Sequence, residues 1–252
     1  MTKDEASEKE KGENMKKRNL ALLLTAVLLS MGGCAAGGET TEQNQQTVQA
    51  SVEAGEERTE TGTKTASSGE ASMEALEQHE ETPAEDFIYS VLETGIYISG
   101  YQGDDSLVVI PEEIDGTPVT LVGGLSNAGI EGIKFSDTVE TIGASCFFHD
   151  ETLQYVICGE NVKTIEEIAF EWCVNLKEIR LNEGLETIES GGLSTLSDQL
   201  ADLYIPESVV KIAGGSLPMN GETLIHVKAG SYAEQYCKDS QKGFPEIAYI
   251  VE

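Results

Sequence analysis

From about residue 130 onward the apolar positions fall into columns. Ile130, Leu153, Leu176 and Leu200 stand in one, and three residues later Ile133, Val156, Ile179 and Leu203 stand in another. Two further on come Phe135, Cys158, Leu181 and Ile205, then Val139, Val162, Leu185 and Val209. Ile142, Ile165, Ile188 and Ile212 follow, and Phe147, Phe170, Leu193 and Leu217 close the set. The columns repeat every 23, 23 and then 24 residues. Self-similarity at such a period marks a repeat architecture, in which each unit stacks on the next. One unit of this length buries too few side chains to offset the entropy of ordering its backbone, so the array folds only as a stack. Within each unit the alternation at Val156–Cys158 or Ile179–Leu181 suits one short strand, followed by a turn.

The flanks follow the same logic. FIYSVLETGIYISGY alternates on both sides of Glu93-Thr94-Gly95 and predicts a hairpin beginning near Phe87 that covers the open end of the stack. Ile110-Pro111 and Val119–Val122 form an irregular leading unit around the turn Asp115-Gly116. Ile225 and Val227 form a shortened last strand.

Upstream the pattern changes twice. From Met15 the chain reads MKKRNLALLLTAVLLSMGGC: three basic residues, an apolar run from Leu20 to Leu29, then Gly32 and Gly33 before Cys34. This is the layout of a secretory signal, with an apolar run short of the about 20 residues a bilayer span needs. The acidic residues 1–14 do not fit ahead of it, so Met15 is read as the start. Residues 35–85 are rich in Glu, Thr, Ser, Gly and Gln and predict a disordered tether, with at most a transient helix over 72–81. The expected division is therefore 1–33 signal, 34–86 anchor cysteine and tether, and 87–252 repeat domain.

Charge narrows the partners. The 252 residues carry 45 acidic and 16 basic side chains, a net charge of −29, which disfavours nucleic acid and an anionic bilayer surface. No motif of nucleotide binding, nucleophilic hydrolysis or zinc chemistry is present, and neither a metal nor a cofactor is expected. Neighbouring carboxylates such as Glu166 and Glu167, or Asp104 and Asp105, read as solvated surface, and the protein is expected not to be an enzyme.

One column stands out. Between two inward positions each strand presents an outward one: Val109, Lys134, Ile157, Arg180, Tyr204 and His226, with Tyr155, Glu178 and Asp202 beside them. Aromatics and Arg are favoured at binding hot spots, and solenoids bind on the face their strands present. The candidate ligand face is therefore Lys134, Tyr155, Ile157, Glu178, Arg180, Asp202, Tyr204 and His226. An ordinary exposed sheet face is the alternative.

LQYVICGENVKTIEEIAFEWC (153–173) and LADLYIPESVVKIAGGSL (200–217) resemble the BspA-like type of bacterial leucine-rich repeat. The ending VKAGSYAEQYCKDSQ (227–241) resembles that family's terminal cap, a strand then a helix. The resemblance implies a right-handed leucine-rich-repeat solenoid over 87–252, capped by the hairpin and the helix, and a role in adhesion or surface interaction with a protein or glycan. A structural envelope scaffold organising another secreted protein is the second reading. GGC resembles the lipobox of bacterial lipoproteins, with Met31 where that family usually has Leu. It implies lipidation of Cys34 and anchoring to the outer surface of a bacterial membrane.

Overall fold

The structure is a computed structural model that describes residues 71–252. The signal-like segment, Cys34 and the tether as far as residue 70 lie outside the described residues. The chain forms a leucine-rich-repeat coil of about seven turns, mostly short strands with little helix.

The hairpin forms as the alternation predicts: β1 (Phe87–Leu92) runs antiparallel to β2 (Gly95–Tyr101). β3 (Leu107–Val109), the small antiparallel pair β4 (Glu113–Ile114) and β5 (Thr117–Val122) make the leading unit, with Asp115 and Gly116 both at positive φ in the turn between them.

Each following repeat contributes a three-residue strand and, beyond a turn, a second strand of two residues. The longer ones are β6 (Gly132–Lys134), β8 (Tyr155–Ile157), β10 (Glu178–Arg180) and β12 (Asp202–Tyr204). The two-residue strands are β7 (Thr141–Ile142), β9 (Thr164–Ile165), β11 (Thr187–Ile188) and β13 (Lys211–Ile212). The second strands were not foreseen. They are too short to alternate visibly, yet they extend the hairpin into one long sheet in the order β1-β2-β5-β7-β9-β11-β13.

The columns meet as expected. Val139, Val162, Leu185 and Val209 line up in one buried row, as do Ile142, Ile165, Ile188 and Ile212. Phe147 stacks on Phe170 with ring centroids 5.7 Å apart. Cys146, Cys158, Cys173 and Cys237 are all buried free thiols. Desolvation pushes the Cys158 and Cys173 thiols up to about 12 and that of Cys237 up to about 11. Leu181 departs from its column and is only half-buried.

Turn geometry repeats with the same period. Ser145, Ile168, Gly191 and Gly215 take φ of 57, 52, 71 and 73°, one per coil. The left-handed region is costly for a β-branched side chain such as Ile168. The position is held by coil-to-coil hydrogen bonding, in which the Ser145 amide donates to Glu167 and the Ile168 amide to Ser190. Asp150 fixes another corner. Fully buried, it accepts from the backbone amides of Asn127, Thr152 and Leu153 and from the Thr152 hydroxyl, at 2.7–3.0 Å.

At the far end β14 (Leu224–Val227) is followed by α2 (Tyr232–Ser240), whose N-cap Ser231 accepts from the Glu234 amide. The chain then returns as β15 (Ala248–Val251), parallel to β14, a strand beyond the expected cap.

Candidate functional site

The outward column does not form one ladder. β3, β6, β8 and β10 make a four-stranded parallel sheet, and β12, β14 and β15 make a separate three-stranded one. No strand pairing joins β10 to β12 among the described residues. The extra residue of the 24-residue repeat coincides with the break. It falls between Leu193 and Leu200, directly ahead of β12, where Leu196 takes φ of 54°.

The first ladder is covered. Residues 71–86, read from sequence as the end of the tether, fold back over it. α1 (Met73–Glu77) is N-capped by Ser72, whose hydroxyl accepts from the Ala75 amide at 3.1 Å. Ala71, Met73 and Leu76 are buried with Leu107, and Tyr155 and Ile157 pack against them. Gly132 leaves the dent that receives Leu76: a Cβ there would stand 2.8 Å from Leu107 Cδ2 and 3.4 Å from Leu76 Cδ2. Farther along, the Thr82 amide donates to the Val109 carbonyl and the Val109 amide to the Thr82 hydroxyl, both at 3.0 Å. This closes the free edge of β3. Sequence missed the cover because two apolar residues three apart in an acidic, polar stretch are a weak signal. The helix is stabilised by what it lands on.

Covering changes the candidates. Val109 is buried, and Tyr155 and Ile157 are half-buried beneath α1. The Lys177 ammonium lies 5.6 Å from the centre of the Tyr155 ring. Arg180 Nε donates to Glu178 Oε1 at 2.7 Å, and the guanidinium also bonds Glu77 at the rim of the cover. The hydrogen bond that Arg180 donates to Glu178 is the largest influence that raises the Arg180 pKa. Lys134 is half-buried.

The second ladder is bare. Tyr204 is 55 % exposed and stacks on His226, with ring centroids 4.0 Å apart and planes at 19°. His226 Nε2 lies 2.7 Å from Asp202 Oδ1, and Nδ1 lies 2.8 Å from Glu252 Oε1. Only an imidazolium donates from both nitrogens. Desolvation opposes that charge, but the hydrogen bonds to Asp202 and Glu252 outweigh it and hold the His226 pKa above its ordinary value. The structure brings together Asp202, Tyr204 and His226 of the candidate face, and adds Glu252, which was not among the candidates and arrives only because β15 pairs with β14.

Elsewhere, a shallow groove of about 330 Å³ is lined by Glu131, Glu151, Thr152, Gln154, Asn175, Lys177 and Gln199. Trp172 does not stand free. It stacks on His149 at 4.6 Å because both occupy the same left-handed turn position in adjacent coils. Among the described residues no group of three or more His, Cys, Asp and Glu could hold a metal ion. No described helix is long and apolar enough to cross a membrane.

Residues 125–229 match the family model of the BspA type leucine rich repeat region, in six copies. A leucine-rich-repeat protein of T. pallidum, solved by crystallography, is 28 % identical, with a TM-score of 0.53, covering 59 % of this chain and 72 % of that one. A leucine-rich repeat protein from Bacteroides ovatus is 20 % identical, with a TM-score of 0.46, over 59 % of this chain and 47 % of that one. A leucine rich cell surface protein from Faecalibacterium prausnitzii is 18 % identical, with a TM-score of 0.34, over 55 % and 53 %. No curated protein matches the chain. In this coil the residues that vary between repeats are mostly those outside the buried columns, and the two ladders are where that variation is displayed.

Proposed function

We propose that this chain is a surface-displayed interaction module, held to a bacterial membrane through lipidated Cys34, which binds a protein or glycan on its strand face. The observation that carries this reading is the bare second ladder. Tyr204 is an exposed aromatic whose ring is fixed by His226, which two carboxylates clamp in turn. An aromatic already held in place loses little freedom on binding, and Tyr is favoured at hot spots. Asp202, Tyr204 and His226 form the centre of contact, and the first ladder, where Tyr155 and Ile157 lie under α1, stands outside it. A repeat coil of this type is a binding scaffold, and the chemistry at its surface suits recognition.

The test compares purified wild-type chain with Tyr204→Ala on glycan arrays and on proteins extracted from bacterial and host cell surfaces. Ligands retained by the wild type and lost by the variant, with a cooperative melting transition lowered only by the small cost of the lost ring stack, are the expected result. Retention of all of them by Tyr204→Ala removes the second ladder from the function. The anchor is tested separately: Cys34→Ser should move the protein from the detergent phase to the aqueous phase on phase partitioning, and continued detergent partitioning would refute lipidation.

A further inference from the structure

The cover over the first ladder has the chemistry of a ligand. It is a short acidic helix with apolar residues three apart, Met73 and Leu76, and a carboxylate, Glu77, that meets Arg180. Its seat belongs to the rigid part of the molecule. The Gly132 dent lies between Leu107 and Tyr155 on strands paired in parallel register. The cover is held by the burial of Ala71, Met73 and Leu76 and by the two Thr82–Val109 hydrogen bonds, and by little besides. Five helical residues are too few for a helix to persist alone. Its ion pair of Arg180 with Glu77 is exposed, and such pairs stabilise little; His79 adds one hydrogen bond with Asp105. In a chain of net charge −29, Arg180 on this ladder also favours an acidic visitor.

We propose that the first ladder is a receptor for short acidic amphipathic helices of partner proteins, and that residues 71–82 occupy it as an internal stand-in that such a helix displaces. The stand-in defines the partner: apolar residues at i and i+3, the second small enough to enter the Gly132 dent, and a carboxylate at i+4 for Arg180. The cover lowers the apparent affinity of any visitor by the fraction of time the seat is open. The proposal rests on the reading of the chain as an interaction module, but it concerns the other ladder and can fail without it.

The probe is a fluorescent synthetic peptide of residues 71–82, titrated by anisotropy into the purified full chain. Met73→Asp with Leu76→Asp releases the internal helix, and the peptide should bind this variant at least about tenfold more tightly than it binds wild type. Adding Gly132→Val should abolish the binding, since the dent is then filled. Equal binding to both chains, binding to neither, or binding indifferent to Gly132→Val would overturn the proposal. Hydrogen exchange on the wild type supplies a measure independent of the variants. The amides of Ala75, Leu76 and Gln78 should exchange at least about a hundredfold faster than those of Val156 and Ile179, as a locally opening segment does. Equal protection would make the helix a permanent part of the fold. A wild-type dimer in light scattering that Met73→Asp with Leu76→Asp dissolves would make the occupant a second copy of this chain and overturn the assignment to a partner.

Discussion

At the outward positions of β8 stand Tyr155 and Ile157; at the same positions of β12 stand Asp202 and Tyr204. The first pair lies under a helix from its own chain, and the second faces water. Both ladders rest on one continuous buried core, so the coil beneath does not decide what each surface does. A Gly at 132 opens a dent that an apolar side chain fills, whereas a His at 226 between two carboxylates builds a charged, fixed aromatic stack. Repeat folds permit this because stability comes from the inward columns and from neighbouring coils, which leaves the outward positions free to differ.

The strongest test of the contrast is in the corners that hold the ladders up. Asp150, beneath the first, accepts four hydrogen bonds while fully buried; Asn220, ahead of β14, accepts from the Glu222 and Thr223 amides at 3.1 Å and is only half-buried. Asp150→Ala should cost about 3 kcal/mol in denaturant unfolding, and Asn220→Ala about 1 kcal/mol, since bonds to a charged acceptor are worth more and orphaned buried donors are costly. Equal costs would mean that the two ends of the coil are equally stiff. Next in size, Tyr204→Ala should weaken binding at the second ladder by about tenfold or more while costing only about 0.5–1.5 kcal/mol of stability, the worth of the lost stack. The reverse pattern, lost stability with intact binding, would make the stack structural. The smallest effect is one of pH. The folded pKa of His226 lies above its unfolded value of 6.5. Its contribution is therefore fully present below about pH 6.5 and fades as pH rises through the raised folded value. Melting curves across this range should show the slope in wild type and lose it in His226→Gln; a slope that persists in the variant belongs to another group.

Much of this architecture is legible in the amino-acid order because its determinants recur. The inward columns, the hairpin around Glu93-Thr94-Gly95 and the last short strand are local patterns repeated or bounded by turn residues. What was hidden depends on contacts distant in the chain. The α1 helix becomes visible only once Gly132 and Leu107 stand next to it. Glu252 joins His226 only through the β14–β15 pairing. The break between β10 and β12 coincides with the 24-residue spacing, but one additional residue in a loop does not announce that a ladder ends. Arg180 stands exposed at the end of β10, and its contact with Glu77 comes from a segment whose composition reads as tether.

The four cysteines of the coil give the molecule a built-in clock. Cys146 lies in one repeat, Cys158 and Cys173 in the next and Cys237 on the cap helix, each closed off from solvent, with its thiol held protonated by burial well into alkaline solution. An alkylating reagent can reach Cys146, Cys158, Cys173 or Cys237 only when the layer that holds it parts from its neighbours. The order in which the four become modified is thus a record of where along the stack the coil first comes undone.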